Sequence, residues 1–269
     1  MIYYLQKKNN MKKINHLAIV ILVLFTGLFV NAQSFKDGER LKLKISYSNF
    51  INAGSATLTA KEVTYDGKKM FHVRGVGETS GLIKMAFKVN DDYQSYFDAS
   101  NGRVYRYIRK INEGGYTKNE EGFFNYNKKQ VLVKDHQRGI ERNVSFTSTK
   151  IQDLLSSFYY LRNHSKINTM KKGEVIEIDT FFDDDSYKFR LKLLGKEEIK
   201  TKFGTIKALK FRPYVQSGRV FKEEESVTVW VSDDDNKIVL KVKASLAVGS
   251  LNADIDEYSG LKHSITFKK

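Results

Sequence analysis

The residue types that most often carry out chemistry are few in this chain, and they form no recognisable motif. No cysteine occurs among the 269 residues, which excludes a disulfide framework, a thiolate metal site and a cysteine nucleophile. Beyond residue 32 the histidines are widely spaced: His72, His136, His164 and His263. An HxxH or HExxH spacing would place two imidazoles beside one metal, and neither occurs. The sequence therefore predicts no metal centre, no cofactor and no catalytic residue.

Two acidic runs could bind a cation. Asp183–Asp185 and Asp233–Asp235 each lie between strand-like segments, and oxygen-rich loops of this kind bind calcium. Neither run has the alternating ligand spacing and distal glutamate of a calcium-binding loop. We therefore interpret both as hairpin turns whose aspartates hydrogen bond to their own backbone.

Carboxylates could instead hydrolyse glycosidic bonds, because a pair of acidic side chains performs that reaction. Glu223–Glu225, Asp254 and Asp256 supply candidates, but nothing fixes a pair of them at the required separation. A GxSxG motif, which would place a serine on a strained turn, does not occur. A carbohydrate-active enzyme is therefore one alternative, and the missing catalytic pattern favours a protein without covalent chemistry.

Aromatic side chains indicate a binding function. In the segment 225–232 three valines share one face, whereas Trp230 falls on the opposite, otherwise polar face. A large aromatic ring on a polar face needs a partner, which is a helix, another strand or a ligand. Packing in the core is one explanation. A ligand-binding apolar groove lined by Leu155, Phe158 and Trp230 is the sharper hypothesis.

A second aromatic pattern alternates with basic residues at 104–110. If this segment is a regular strand, Tyr105, Tyr107 and Arg109 share one face and could stack on bases or sugar rings. The same residues suit cross-strand pairs on a half-exposed sheet, and we favour that structural interpretation.

Apolar residues alternate with polar ones along most of the chain. Residues 41–47, 187–193 and 238–246 show this period of two, which predicts antiparallel strands with one face on a core. The Asp66-Gly67 pair predicts a tight hairpin, because glycine accepts the positive φ that such turns need. About a dozen strands at this spacing are typical of a sandwich or a barrel.

One segment has helical spacing instead. Residues 150–163 place apolar side chains at helical intervals, with a capping-box spacing at Thr149 and Gln152 and a stop at Asn163. This helix should pack against the sheet, and a shorter helical turn is predicted over Gly81–Ala86. We expect one β-rich domain over 33–269, with two strand-rich halves (35–148 and 173–269) as the alternative.

The first 32 residues have the pattern of a signal peptide. Lys12 and Lys13 precede an uncharged apolar run of 14 residues, which is too short to span a bilayer, and Ala32 ends a cleavage-like site. Met11 is the better initiator, so residues 1–10 are interpreted as an extension of a mis-assigned start. An uncleaved membrane anchor is the alternative.

Export changes which partners the net positive charge favours. The whole chain carries +15, and removal of four lysines with residues 1–32 leaves +11. A basic protein outside the cytoplasm meets anionic envelope surfaces more readily than nucleic acid, so we expect no nucleic-acid partner. Without a cysteine it has no site for a lipid anchor, and we predict a soluble periplasmic protein of unknown oligomeric state.

Four segments resemble a known family. They are Gly38–Leu41 with Ser46-Tyr47 and Ala53–Ala56, then Asp153–Arg162, Phe203–Leu209 and Val229–Asp234. In this order they resemble the exported domain-of-unknown-function family 3108 (DUF3108), from about Phe35 to Leu261. The resemblance brings no established activity and no catalytic residues.

The resemblance implies a mostly β envelope protein whose curved antiparallel sheet, or partly open β-barrel, wraps around one main α-helix at about 150–163. Periplasmic lipoprotein carriers have a similar half-open barrel and hold acyl chains on its concave face. We therefore predict a non-enzymatic protein that binds an apolar or amphipathic envelope ligand, such as a lipid, or a protein partner. The alternatives are a structural envelope protein that contacts anionic polymers and a carbohydrate-active enzyme.

Overall fold

The computed structural model describes residues 33–215 and 227–269. The predictions made for residues 1–32 and for Glu223–Glu225 lie outside these ranges. Among the described residues, no helix is long and apolar enough to cross a bilayer.

The described residues form a single antiparallel sheet of fourteen strands. The strands are β1 (Glu39–Tyr47), β2 (Ile51–Tyr65), β3 (Lys68–Thr79), β4 (Asn90–Asp98), β5 (Val104–Glu113), β6 (Tyr116–Asn125), β7 (Gln130–Asp135), β8 (Ile140–Ser145), β9 (Val175–Phe182), β10 (Asp185–Thr201), β11 (Gly204–Val215), β12 (Val227–Ser232), β13 (Val239–Ser245) and β14 (Ser250–Ser259). Their order is β8-β7-β6-β5-β4-β3-β2-β1-β14-β13-β12-β11-β10-β9. Both predicted halves of the chain contribute strands to this sheet.

Local turn chemistry fixes much of this order. Asp66 and Gly67 have φ values of 50° and 70°, and they connect β2 to β3 as a tight hairpin in which Tyr65 pairs with Lys68. Glycine adopts such a φ freely, so the Asp-Gly pair favours this turn. The prediction of a mostly β, antiparallel protein is confirmed.

The prediction of one main helix over about 150–163 is wrong. The described residues contain two helices, α1 (Gly81–Ala86) and α2 (Leu154–Arg162). Helix α2 begins later than predicted because Gln152 is committed to the sheet: its backbone N–H donates to Asp179 O at 2.8 Å and its carbonyl accepts from Phe181 N at 2.8 Å.

The sheet is not closed into a barrel, because β8 and β9 are its two edges. Strands β3, β4 and β9 all contact α2, so the sheet curves around this helix. Near the open seam, the turn between β9 and β10 contacts the first half of the sheet through ion pairs. Arg109 on β5 donates to Asp183 at 2.7 Å, and Arg142 on β8 donates to Asp184 at 2.7 Å.

Three buried clusters make up the core. The aromatic cluster lies mainly between α2 and the strands β3 to β7, and it contains Phe35, Phe71, Phe97, Tyr107, Phe124, Phe146, Tyr159 and Phe181 among others. The aliphatic cluster lies between α2 and the strands β9 to β13, and it includes Leu161, Leu191, Phe211, Val231 and Val239. The third cluster surrounds Trp230 and includes Leu41, Ile206, Ile238 and Ile255.

Candidate functional site

A cavity of about 360 Å³ lies between α2 and the aliphatic side of the sheet. This volume falls in the range of small-molecule sites. Its wall is almost entirely apolar and is formed by Tyr93, Leu154, Ser157, Phe158, Leu161, Arg162, Ile167, Thr180, Phe182, Tyr187, Phe189, Leu191, Phe211, Pro213, Val229, Val231, Lys237 and Val239. We call it the α2 cavity.

Helix α2 supplies one wall of the cavity, and its N-terminus is fixed by Asp153. The Asp153 carboxylate accepts hydrogen bonds from Leu155 N and Ser156 N, both at 2.8 Å, and Ser156 Oγ accepts from Asp153 N at 2.9 Å. This reciprocal pair is a capping box, which satisfies backbone donors that the first helical turn leaves free. Ser95 on β4 also donates to Asp153 at 2.5 Å, which ties the helix to the sheet.

Burial changes the titration of this cap. Asp153 is fully buried, and loss of solvation raises the pKa of its carboxyl group to about 6, although the hydrogen bonds to Ser156, Ser95 and Leu155 act in the opposite direction. The Asp153 carboxyl group of the folded protein is therefore protonated at a higher pH than an ordinary aspartate.

The strands β9 to β13 supply the opposite wall. Inward residues recur with a period of two, as at Val229 and Val231 on β12 and at Phe189 and Leu191 on β10. Branched aliphatic side chains predominate on β12 and β13, and Phe189 and Phe211 add aromatic rings to this wall. The cavity is the space that these side chains leave between the sheet and α2.

One end of the cavity is polar and buried. Arg162, at the last turn of α2, donates to both carboxylate oxygens of Glu39 on β1 at 2.5 and 2.8 Å, and both side chains are at most 2% exposed. Its Nη2 also donates to Ser34 O at 3.0 Å, and its Nε donates to Asn236 O at 3.0 Å. This guanidinium is fully paired, so its role is to join the helix to β1 and to the loop before β13.

Lys237 lies at the same end. The turn that carries it is held by Asp234, whose Oδ1 accepts from Ser232 Oγ at 2.7 Å, from Asn236 N at 3.0 Å and from Lys237 N at 3.1 Å. Lys237 Nζ donates to the main-chain carbonyl of Asp234. The side chain is only 4% exposed, and burial lowers its pKa.

The other end of the cavity opens to solvent. Leu154, at the first turn of α2, is 46% exposed, and Tyr93, Phe182 and Tyr187 are half-buried around it. Burial raises the pKa of Tyr187 to about 12, so this phenol is neutral at physiological pH. The side chains that line the mouth are thus uncharged, whereas the buried end carries Arg162 and Lys237.

The structure separates the three residues of the predicted groove. Phe158 lines the α2 cavity. Leu155 packs against the aromatic cluster, and its side chain lies close to Gly75 on β3. Trp230 lies on the other face of β12 and does not line the cavity, although Val229 and Val231 beside it do. Whether Leu155 and Phe158 contact a ligand stays a prediction.

Trp230 has a structural environment. It is 9% exposed within the third cluster, its Nε1 donates to Glu197 at 2.6 Å, and Lys210 Nζ lies 5.3 Å from the centre of its ring. Partly buried side chains of the C-terminal segment, Ile265 and Phe267 among them, pack on this cluster from outside the sheet. The face of β12 that carries Trp230, which its sequence pattern marks as polar, is therefore covered by side chains from distant parts of the chain.

The other chemical candidates take part in ion pairs and turns. Within residues 33–215 and 227–269, no group of three or more histidine or acidic side chains could hold a metal ion. Asp183 and Asp184 bind arginine and lysine side chains, as the 2.8 Å contact from Lys118 to Asp183 also shows. In the second acidic run, Asp233 pairs with Lys196 at 3.0 Å, while Asp234 forms the backbone turn described above.

Among the described carboxylates, the two candidate aspartates are each held in an ion pair with a lysine. Asp254 pairs with Lys241 at 3.2 Å and Asp256 with Lys202 at 2.6 Å. A hydrogen bond to Asp91 raises the pKa of Glu113 to about 7, and this direct contact is closer than the separation of roughly 5–10 Å that the reaction requires.

The aromatic and basic strand β5 contains a bulge that divides its predicted face. Tyr96 pairs with Arg106, but the next residue of β4, Phe97, pairs with Val104, so Tyr105 is left as the extra residue. Tyr107 and Arg109 point to the interior, whereas Tyr105 donates to Asp66 at 3.1 Å on the surface. The prediction that all three share one face is wrong.

Sequence reasoning missed Lys237 altogether. It follows three aspartates in a polar segment, which is typical of a solvated turn, and its burial depends on contacts with distant elements. The one available signal was the neighbouring Ile238–Leu240 run, which marks the turn as the start of a buried strand.

A known structure shares the fold. A β-barrel-like protein of the domain-of-unknown-function family DUF1849 from Brucella abortus superposes with a TM-score of 0.55 at 10% identity, over 83% of this chain and 98% of that one. A DUF1089-family protein from Pseudomonas aeruginosa superposes with a TM-score of 0.37 at 9% identity, over 78% of this chain and 92% of that one. At such identities the first likeness extends to the fold alone. No curated protein matches the chain significantly.

A family assignment comes from the sequence itself. The model of DUF3108, described as a protein of unknown function, matches residues 42–256. This range includes α2 and every strand that lines the cavity. The resemblance seen in the four sequence segments is confirmed, and the chain belongs to the DUF3108 family.

Proposed function

We propose that the α2 cavity binds an apolar or amphipathic molecule, and that the protein acts by holding this molecule without covalent chemistry. The observation that carries the proposal is a cavity of about 360 Å³ with an almost wholly apolar wall. An empty apolar space of this size forfeits dispersion contacts and is costly to keep, since cores are otherwise close-packed. A ligand that fills it would restore those contacts.

The proposal also includes the cellular location of the protein. A signal-peptide pattern over residues 1–32 supports action in the periplasm or envelope, where apolar and amphipathic molecules such as lipids need a carrier or a receptor. The chain has no cysteine for an N-terminal lipid anchor, which supports a protein that is free in its compartment.

The test uses N-phenyl-1-naphthylamine, an uncharged apolar probe whose fluorescence rises when it leaves water. The protein should bind it saturably at one site. Val229→Phe places a ring in the cavity from β12, and the affinity should fall at least tenfold.

The matched control is Thr228→Phe, one residue earlier on the same strand and on the opposite face. This variant should bind the probe as the unmodified protein does. If the protein shows no saturable binding, or if the two variants bind equally well, the cavity is not a ligand site and the proposal fails.

A further inference from the structure

Among the described residues that line the α2 cavity, Lys237 is a cation without a direct ion pair to a carboxylate. Arg162 is held by Glu39, and Arg109, which stacks on the cavity residue Phe182 at 4.2 Å, is held by Asp183. Among the described residues, no carboxylate lies within salt-bridge distance of the Lys237 ammonium group, whose hydrogen bond goes to a main-chain carbonyl. The aspartates of its own turn, Asp233, Asp234 and Asp235, raise its pKa without a direct ion pair, against the larger effect of burial. Arg162 and Lys237, the charged side chains that line the cavity, are both cationic.

The backbone at Lys237 adds a second observation. Its φ is 52°, in the left-handed region that a β-carbon disfavours and glycine adopts freely. The turn therefore holds a long cationic side chain at a position where glycine would fit with less strain. Strained positions that the surrounding structure holds in place are found preferentially at functional sites. Here the hydrogen bonds to Asp234 hold the turn.

The cavity also has a direction. Helix α2 rises about 1.5 Å per residue, so the open mouth at Leu154 and the buried end at Arg162 are about 12 Å apart along its axis. Apolar side chains line the wall between them, and Lys237 lies at the buried end. A molecule that complements this site has an apolar tail and an anionic group at one end.

Given the ligand-binding function proposed above, on which this step rests, we infer that the ligand is an acyl chain with an anionic head group, either carboxylate or phosphate. The head group pairs with Lys237, and the chain runs along α2 towards Leu154. The geometry assigns Lys237 as the residue that selects charged amphiphiles over neutral ones.

The test measures displacement of N-phenyl-1-naphthylamine by dodecanoate, dodecyl phosphate and dodecanol, which share a chain and differ in the head group. The unmodified protein should bind at least one of the two anions ten or more times more tightly than the alcohol. Lys237→Met keeps the aliphatic stem and removes the charge, so it should abolish this preference while dodecanol still binds. The anion that loses more affinity identifies the head group.

Lys243→Met is the matched control, because it removes one positive charge from an exposed position on β13. It should leave all three affinities unchanged. If the unmodified protein binds the alcohol as tightly as the anions, or if Lys237→Met weakens all three equally, the inference about Lys237 is overturned while the apolar cavity stands. If dodecanol and the probe fail to bind at all, the proposed function itself fails.

Discussion

On one side of α2 the space between helix and sheet is filled by aromatic rings, and on the other side it is hollow. In the aromatic cluster, the ring centres of Phe35 and Phe71 lie 4.9 Å apart and those of Phe35 and Tyr159 lie 4.8 Å apart, both edge to face. Opposite, Val229 and Val231 face a cavity of about 360 Å³. One helix and one sheet thus form both a packed core and a candidate binding site.

The difference lies in how the side chains pack. On the filled side the aromatic rings interlock at favourable edge-to-face angles. Aromatic side chains such as Phe158, Phe189 and Phe211 also line the cavity, yet they leave space between helix and sheet. Both sides are apolar and both contain aromatic rings, so neither hydropathy nor aromatic content distinguishes the filled side of this curved sheet from the hollow one.

The strongest way to break the comparison is to remove the ion pair at the boundary between the two sides. Arg162 lines the cavity and also lies 5.3 Å from the ring centre of Phe35 in the aromatic cluster. Glu39→Gln leaves this guanidinium buried without its counter-charge, which should lower the free energy of unfolding by about 3–5 kcal/mol. Urea denaturation measures the change.

The control for this variant is Glu257→Gln. Glu257 pairs with Arg40 and Lys42 on the exposed surface of β14 and β1. Such a pair is solvated and screened, so the midpoint of unfolding should stay the same. Equal losses in both variants would contradict a special role for the buried pair.

A paired truncation sharpens the comparison between the two sides. Phe97→Ala in the aromatic cluster should lower the free energy of unfolding by about 3–5 kcal/mol, because close neighbours leave a new void. Phe189→Ala in the cavity wall should cost about 1 kcal/mol, since this ring is half-buried and already faces open space. Thermal unfolding of the two variants would contradict the distinction if their losses were alike.

The last prediction concerns the cap of the helix that separates the two sides. The folded-state pKa of Asp153, about 6, exceeds the ordinary value of 3.8, so the folded protein binds a proton more readily than the unfolded chain. This group therefore adds stability that is fully present below about pH 4 and is lost as the pH rises through 6. One pKa unit corresponds to about 1.4 kcal/mol.

Asp153→Asn keeps a good N-cap and removes the titration. The variant should lose the part of the pH dependence between pH 4 and 6 that Asp153 causes, as measured by denaturation at several pH values. An unchanged pH profile would mean that the cap carboxyl titrates normally in the folded state.

The strands could be predicted from the sequence because their signals are local. The hairpin between β2 and β3 needs only alternation and the Asp66-Gly67 turn. The start of α2 could not be predicted in this way. Thr149 and Gln152 have a capping-box spacing, but Gln152 is hydrogen bonded to β9, which comes later in the chain. Tertiary pairing displaced the cap to Asp153.

The candidate site could be predicted only in part for the same reason. Phe158 and the inward valines of β12 follow from periodicity. For Trp230, the period of two marks a face, but it does not show that side chains near the C-terminus cover that face. Lys237 resembles any lysine after an acidic run, and its burial at the end of the cavity depends on tertiary packing.

The pairing of β1 with β14 has a consequence for the time course of folding. Arg40 and Glu257 meet across 217 residues of chain, whereas β1 to β8 form a meander of hairpins between neighbours, as do β9 to β14. Short loops close quickly and distant ends meet slowly. The two meanders can therefore assemble as independent blocks, and β1 must wait unpaired on one edge until β14 has been synthesised. The strands β9 to β13 that wall the cavity belong to the second block, whereas Glu39, which anchors Arg162 of α2, belongs to the first. The cavity is therefore complete only when both blocks have met α2.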